Sequence, residues 1–406
     1  MHKIERLLHT LAPKGVEFRK LGEIINILKG KQLNKELLLD YGEYPVMNGG
    51  IHASGYWNEY NTDYPKIIIS QGGASAGYVN YMTSKFWAGA HCYAIELNSE
   101  KLNYKFLYYF LKNSQSILMK SQFGAGIPAL NKADIENLTI PIPPLEIQQE
   151  IVKILDAFTE LNTELNTELK ARKKQYEYYQ NMLLDFNDIN QNHKDAKMSV
   201  KTYPKRLKTL LQTLAPKGVE FRKLGEVCEI LDNRRIPIAK NKRNPGIYPY
   251  YGANGIQDYI DSYIFDGDFV LVGEDGSVIN KDNTPVVNWA SGKIWVNNHA
   301  HVLQTKNELK LKFLYFYLQT IDVSYCVAGT PPKINQENLK KITIPIPPLE
   351  IQQEIVKILD QFSILTTDLL AGIPAEIKAR KKQYEYYREK LLAFKPLTPL
   401  NSKELA

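Results

Sequence analysis

One run of residues, "TIPIPPLEIQQEIVKILD", stands at Thr139–Asp156 and again, unchanged, at Thr343–Asp360. Two more blocks recur with it. "TLAPKGVEFRKLGE" is found at Thr10–Glu23 and Thr213–Glu226, and "KARKKQYEYY" at Lys170–Tyr179 and Lys378–Tyr387. The blocks keep their order, so the chain is a tandem duplication with a period of about 200 residues, far too long for a solenoid. The stretches between them, 24–138 and 227–342, differ strongly. Faint echoes survive there: Tyr44–Pro45 and Tyr248–Pro249, Gly50–Ile51 and Gly255–Ile256, Lys105–Tyr108 and Lys312–Tyr315. Trp87 precedes His91 by the same step as Trp295 precedes His299. The two middles read as one fold with two surfaces.

Each middle is a mixture of helix and strand. Tyr64–Ser70 and Asp266–Gly276 have strand composition closed by glycine turns. Leu102–Leu118 and Leu311–Ile321 carry helical spacing. Proline runs at Pro141–Pro144 and Pro345–Pro348 must be extended, and the last proline of each suits the first turn of a following helix. In the first copy Ile147, Ile151, Ile154, Phe158, Leu161 and Leu165 alternate steps of four and three, the seam of a coiled coil. In the second copy Ile351, Ile355, Ile358, Phe362 and Leu365 do the same. The first helix is expected to run about 40 residues, or about 60 Å. In the second, "AGIP" (Ala371–Pro374) should kink or break the pattern. "TELNTELNTEL" (Thr159–Leu169) repeats a unit close to one helical turn, each copy adding about 6 Å with little change of face. It suits a spacer or a low-complexity helix, and its place in the element that sets a distance favours the spacer.

The expected order is therefore 1–144, a short helix and the first mixed domain; 145–187, a long helix; 188–204, a polar linker; 205–348, a short helix and the second domain; 349–395, the second long helix; and 396–406, a tail. Parallel long helices would need the linker to run back about 60 Å at full extension, so the helices are expected antiparallel. The fold class is α+β, two similar globular domains joined by an antiparallel coiled coil, with a pseudo-twofold internal repeat.

The net charge of +7 and pI near 8.9 lean toward a polyanionic partner without naming one. Cys92, Cys228 and Cys326 lie far apart, which argues for a reducing compartment and against disulfides or a zinc site. No apolar run is long enough to span a membrane, and the N-terminal stretch lacks a signal-peptide core, so the expected location is cytoplasmic. Phosphate-loop, dinucleotide, HExxH and nucleophile-elbow motifs are absent, and so is the N-P-P-aromatic motif of amino-methyltransferases. No catalytic or metal-binding residue is assigned. "SQGGASAG" (Ser70–Gly77) lacks a phosphate-loop lysine and reads as a turn. His91 and His299 read first as packing beside the tryptophans and second as functional.

Basic loops are more telling. "LDNRRIPIAKNKRNPG" (Leu231–Gly246) carries Arg234, Arg235, Lys240, Lys242 and Arg243 without apolar periodicity. Its counterpart "LKGKQLNKE" (Leu28–Glu36) carries Lys29, Lys31 and Lys35. Such residues suit phosphates and guanine edges, and the interleaved asparagines suit adenine; a solvated charged loop is the plainer alternative. Lys170, Arg172, Lys173 and Lys174 line a helix that suits DNA phosphates, a protein partner or plain solvent.

The order of variable domain, "IPIPPLEIQQEIV", long helix and "ARKKQYEYY", given twice, resembles specificity subunits of type I restriction-modification enzymes over nearly the whole chain. "GIYPYYGANGI", "FDGDFVLVGEDG" and "NNHAHVL" strengthen the likeness. The resemblance implies two target recognition domains, each reading half of a bipartite site in double-stranded DNA, and a coiled coil that spaces them. It implies two modification (methyltransferase) subunits docked on the repeated regions, and restriction subunits beyond those. It implies no catalysis and no cofactor on this chain, with S-adenosylmethionine, ATP and Mg on the partners. An enzyme with an unseen site, or a coiled-coil scaffold without a DNA role, stays open beside it.

Overall fold

The computed structural model describes residues 2–123, 128–186, 203–276, 278–368 and 371–397. The expected linker falls almost wholly outside the described residues, as does most of the tail. The chain forms two compact units, one of residues 1–166 with 377–406 and the other of 167–376.

In the first unit the helix α1 (His2–Leu11) leads into strand β1 (Glu17–Lys20). β1 pairs antiparallel with β9 (Thr139–Ile142), Glu17 opposite Ile142 and Lys20 opposite Thr139. The first and second repeated blocks are thus two strands of one ladder. Between them lie β2 (Ile25–Lys29), β3 (Tyr44–Met47), β4 (Gly55–Trp57), β5 (Lys66–Ser70), β6 (Val79–Met82), β7 (Trp87–Ala88) and β8 (Cys92–Leu97). They form a four-stranded sheet in the order β2-β8-β5-β6 and a three-stranded sheet β4-β3-β7. Alternating or wholly apolar strands such as Ile67–Ile69 fill the core with helix α2 (Tyr104–Asn113), whose N-terminus Asn103 caps through its side chain.

The second unit repeats this plan. β10 (Glu220–Lys223) pairs with β17 (Thr343–Ile346) in the same register, Glu220 opposite Ile346. β11 (Cys228–Ile230), β12 (Pro245–Gly252), β13 (Gly255–Ile260), β14 (Phe265–Gly273), β15 (Val287–Val296) and β16 (Ala300–Thr305) make one six-stranded sheet, ordered β11-β16-β14-β15-β12-β13. β15 runs unbroken where the first unit has the two short strands β6 and β7.

A buried glutamine fixes the start of each long helix. Gln148 is fully buried: its Oε1 accepts from Asn103 N at 2.7 Å, and its Nε2 donates to Lys101 O at 2.8 Å and Pro143 O at 2.6 Å. Gln352 repeats each bond, accepting from Lys310 N at 2.8 Å and donating to Glu308 O at 2.9 Å and Pro347 O at 2.7 Å. The first long helix, α3 (Leu145–Leu184), has 40 residues, as its periodicity predicts. The second is α4 (Leu349–Thr367) followed by α5 (Gly372–Leu392), broken where "AGIP" predicts. Gly372 has φ +74, and a Cβ there would lie 2.4 Å from Ile364 O, so the break needs glycine.

The predicted coiled-coil seam is partly reassigned. Ile147, Ile151, Ile351 and Ile355 are fully buried, but in the domain cores, because each helix base is enclosed on several sides. Leu155 and Leu359 are the fully buried neighbours, while Ile154 and Ile358 are half-buried. Leu161, Leu165 and Leu365 are also half-buried. Helix meets helix through aromatic rings. In the first unit Phe158 stacks on Tyr387 at 5.6 Å, and in the second Phe362 stacks on Tyr179 at 5.2 Å. Each "KARKKQYEYY" block therefore packs on the junction of the other copy, beginning against end, the pairing of antiparallel helices. The start of the tail also belongs to the fold. Val16 N donates to Lys395 O and Leu397 N to Val16 O, both at 2.9 Å.

Candidate nucleic-acid interface

Each unit fastens its basic loop with a tryptophan. In the first, Lys31 N donates to Ala88 O at 2.8 Å and Trp87 Nε1 donates to Lys31 O at 3.1 Å. Lys29, Lys31 and Lys35 are exposed, and among the described residues none pairs with a carboxylate. Lys29 and Lys31 rim a cleft of about 330 Å³ with Asn61, Thr62, Asp63 and Lys66. In the second unit Trp295 Nε1 donates to Ile236 O at 2.6 Å. The recurrence of Trp87 and Trp295, an echo between the middles in the sequence, reflects this fastening.

The predicted residues of the second loop divide into two kinds. Lys240 and Lys242 are exposed on a short turn, and Arg234 is exposed with its guanidinium 4.7 Å from the Phe265 ring centroid. Arg235 and Arg243 instead face inward. Arg235 has a side chain 10% exposed, with Nη1 bonded to Glu274 at 2.6 Å and Ala300 O at 2.8 Å. Arg243 donates to Ile238 O at 3.1 Å, pairs with Asp258 at 3.3 Å and covers the Tyr250 ring at 4.1 Å. These two arginines shape the loop. Sequence alone misses this because their carboxylate partners lie on distant strands.

Behind Arg235 sits an ionic cluster. His301, fully buried, bonds Asp232 through Nδ1 at 2.6 Å and Ile334 O through Nε2 at 2.8 Å. Lys333 reaches Glu274 at 3.1 Å. Burial raises the Asp232 carboxyl, but the His301 hydrogen bond and charge, Arg235 and Val302 N outweigh it and hold the group below the usual carboxylate range. Asp232, Glu274 and His301 bring ligand-type atoms within 4.8 Å of one another. Both His301 nitrogens are already engaged by protein oxygens, Asp232 and Ile334 O. The geometry is that of an ion-pair cluster. Burial also pushes the Cys92 and Cys228 thiols up to about 12, which makes them inert packing groups.

The expected packing role of His91 and His299 is not what the structure gives: both rings are exposed. Their carbonyls are held alike, His91 O accepting from Gln71 N at 2.8 Å and His299 O from Glu274 N at 2.9 Å. Their amides are held differently: His91 N donates to Asn48 Oδ1 at 3.2 Å, beyond β3, and His299 N to Asn297 Oδ1 at 2.8 Å, two residues back.

The model of the type I restriction modification DNA specificity domain matches residues 13–174 and, a second time, 216–379. The chain belongs to the type I restriction-modification specificity subunits. The specificity subunit of the type I restriction enzyme EcoR124I/EcoR124II from Escherichia coli is 28% identical over 443 residues, covering 99% of both chains. A Haemophilus influenzae protein ascribed to the same class is 45% identical over 179 residues, 43% of this chain and 46% of that one. The type I system S subunit of M. genitalium shares the fold at a TM-score of 0.60 and 21% identity, covering 95% of this chain and 97% of that one. As a specificity subunit with two target recognition domains, the chain is the non-catalytic, DNA-recognising component of a restriction-modification complex. No described helix is long and apolar enough to cross a membrane.

Proposed function

We propose that each unit reads one half of a bipartite site in double-stranded DNA and that the long helices set the distance between the halves. The observation that carries the reading is the exposed basic loop held by the same tryptophan bond in two otherwise divergent units. Lys29, Lys31 and Lys35 in the first unit and Arg234, Lys240 and Lys242 in the second supply phosphate and base contacts, while Arg235 and Arg243 hold the loop in shape. The repeated junctions and "KARKKQYEYY" helices, alike in both copies, dock two modification subunits, and restriction subunits join that assembly. S-adenosylmethionine, ATP and Mg act on those partners, in the cytoplasm where DNA lies. Inserting one more TELN unit after Leu169 tests the spacing. Methylation mapping should show a longer gap between unchanged half-sites; changed half-sites at constant spacing would refute it.

A further inference from the structure

The two histidines recur at one address in middles that share little else, and neither ring is buried. A solvent-facing side chain with no packing duty, on a backbone whose carbonyl is tied by the same bond in both units, is built to meet something outside. In the first unit the histidine lies against the turn after β3 at Gly49 and the glycine turn after β5 at Gly72; in the second it lies against the turn after β14 at Asp275. The two rings differ in one respect. His299 Nδ1 bonds the Asp275 carboxylate. A carboxylate only accepts, so Nδ1 carries the proton and the ring is held with Nε2 turned away from Asp275. Nε2 has no protein partner among the described residues. In the first unit the position of Asp275 is held by Gly72, since Gln71 and Glu274 make the same bond to the preceding histidine carbonyl. A Cβ at Gly72 would meet His91 Nδ1 at 3.6 Å and little else, so the position has room for a side chain. Among the described residues no carboxylate bonds His91 Nδ1, and its ring can present either tautomer.

Resting on the reading of each unit as DNA-binding, we propose that His91 and His299 are specificity-determining residues that contact one base pair each, and that Asp275 fixes what His299 accepts. In its uncharged form that ring presents the Nε2 lone pair, which matches a base-edge amino group, adenine N6 or cytosine N4 in the major groove. His299 therefore selects adenine or cytosine over guanine or thymine at its position in the second half-site. His91, with neither tautomer imposed, tolerates donors and acceptors at its position in the first.

The test is selection from a randomised duplex library by the full chain assembled with the modification subunits of its own system. His299→Ala should cut the preference at one position of the second half-site by about tenfold and leave the first half-site intact. Asp275→Asn, which keeps the fold and offers Nδ1 either a donor or an acceptor, should broaden that same position alone. Gly72→Asp should do the reverse in the first half-site, narrowing one position toward adenine or cytosine. Profiles unchanged in all three variants, or second-half-site positions weakened uniformly by Asp275→Asn, would overturn the proposal. If the unaltered chain enriches no bipartite sequence, the DNA-reading function itself fails and takes the proposal with it; a bipartite motif insensitive to these variants sinks the histidine assignment only.

Discussion

The two units build one frame from different chemistry. In the first, Tyr93 donates its hydroxyl to Leu130 O at 3.2 Å, and Gln71 lies beside it. In the second, His301 makes the matching bond to Ile334 O, and charged Glu274 stands where Gln71 does. One interior is neutral and the other ionic, yet the same loop carbonyl is tied to the same strand. The sheets differ too: short β6 and β7 in one unit become the ten-residue β15 in the other. What the duplication retains is the set of backbone ties, namely the β1–β9 and β10–β17 ladders, the buried glutamines and the tryptophan bonds. What it releases is the side-chain content between them. A frame fixed by backbone bonds can carry two unrelated surfaces, which is what the proposed reading of two half-sites requires.

The comparison predicts unequal damage at its unequal positions. His301→Leu should destabilise the second unit by about 3–5 kcal/mol, because it leaves Asp232 buried without its main partner. Tyr93→Phe should cost the first unit only about 1 kcal/mol, the loss of one neutral hydrogen bond. Hydrogen exchange resolved to each unit would measure both, and equal losses would mean that the ionic cluster adds nothing beyond the shared tie. At equal positions the damage should be equal. Gln148→Leu and Gln352→Leu each orphan three backbone groups and should each cost about 3 kcal/mol, within about 1 kcal/mol of one another. A large disparity would show that the junctions are not energetically equivalent.

The pH responses should also part. Asp232 titrates below its ordinary value in the fold, so its contribution is present above pH about 4 and is lost as pH falls through the folded value. Lys112, in the first unit, is lowered to about 8 by burial, with repulsion from Arg388 adding to it. Between about pH 8 and 10.5 the unfolded chain then binds the proton more readily than the folded one, so stability rises with pH across that window. Acid should loosen the second unit, and mild alkali should tighten the first; Asp232→Asn and Lys112→Met should each flatten the matching profile. The smallest effect on stability belongs to the loops. Lys29→Glu with Lys31→Glu, or Lys240→Glu with Lys242→Glu, should leave both melting profiles nearly unchanged. Each pair should lower the salt slope of DNA binding by about 1 per lysine.

The repeat, the mixed domains, the long first helix and the break at Gly372 were all legible in the sequence, because each is written in local spacing or in a glycine and a proline. Pairing was not. Nothing in "EFRK" and "TIPI" says that they meet, since a ladder between strands so far apart depends on the whole intervening domain. The heptad reading misjudged the helix bases for the same reason: Ile147 and Ile351 obey the seam spacing but are claimed by the domain cores. Arg235 and Arg243 had the composition of a DNA loop, and their inward bonds depend on Glu274 and Asp258, which no local pattern connects to them. The exposure of His91 and His299 was hidden by the adjacent tryptophans, which invite a packing explanation.

A chain in which residues 227–342 are replaced by a second copy of 24–138 would test the central claim most directly. Both units would then have the same frame and the same surface. Methylation mapping in the source cell should find both half-sites converted to the first half-site's sequence, with the gap between them unchanged. A second half-site that keeps its original letters would contradict the account, since it would place recognition outside the variable middles.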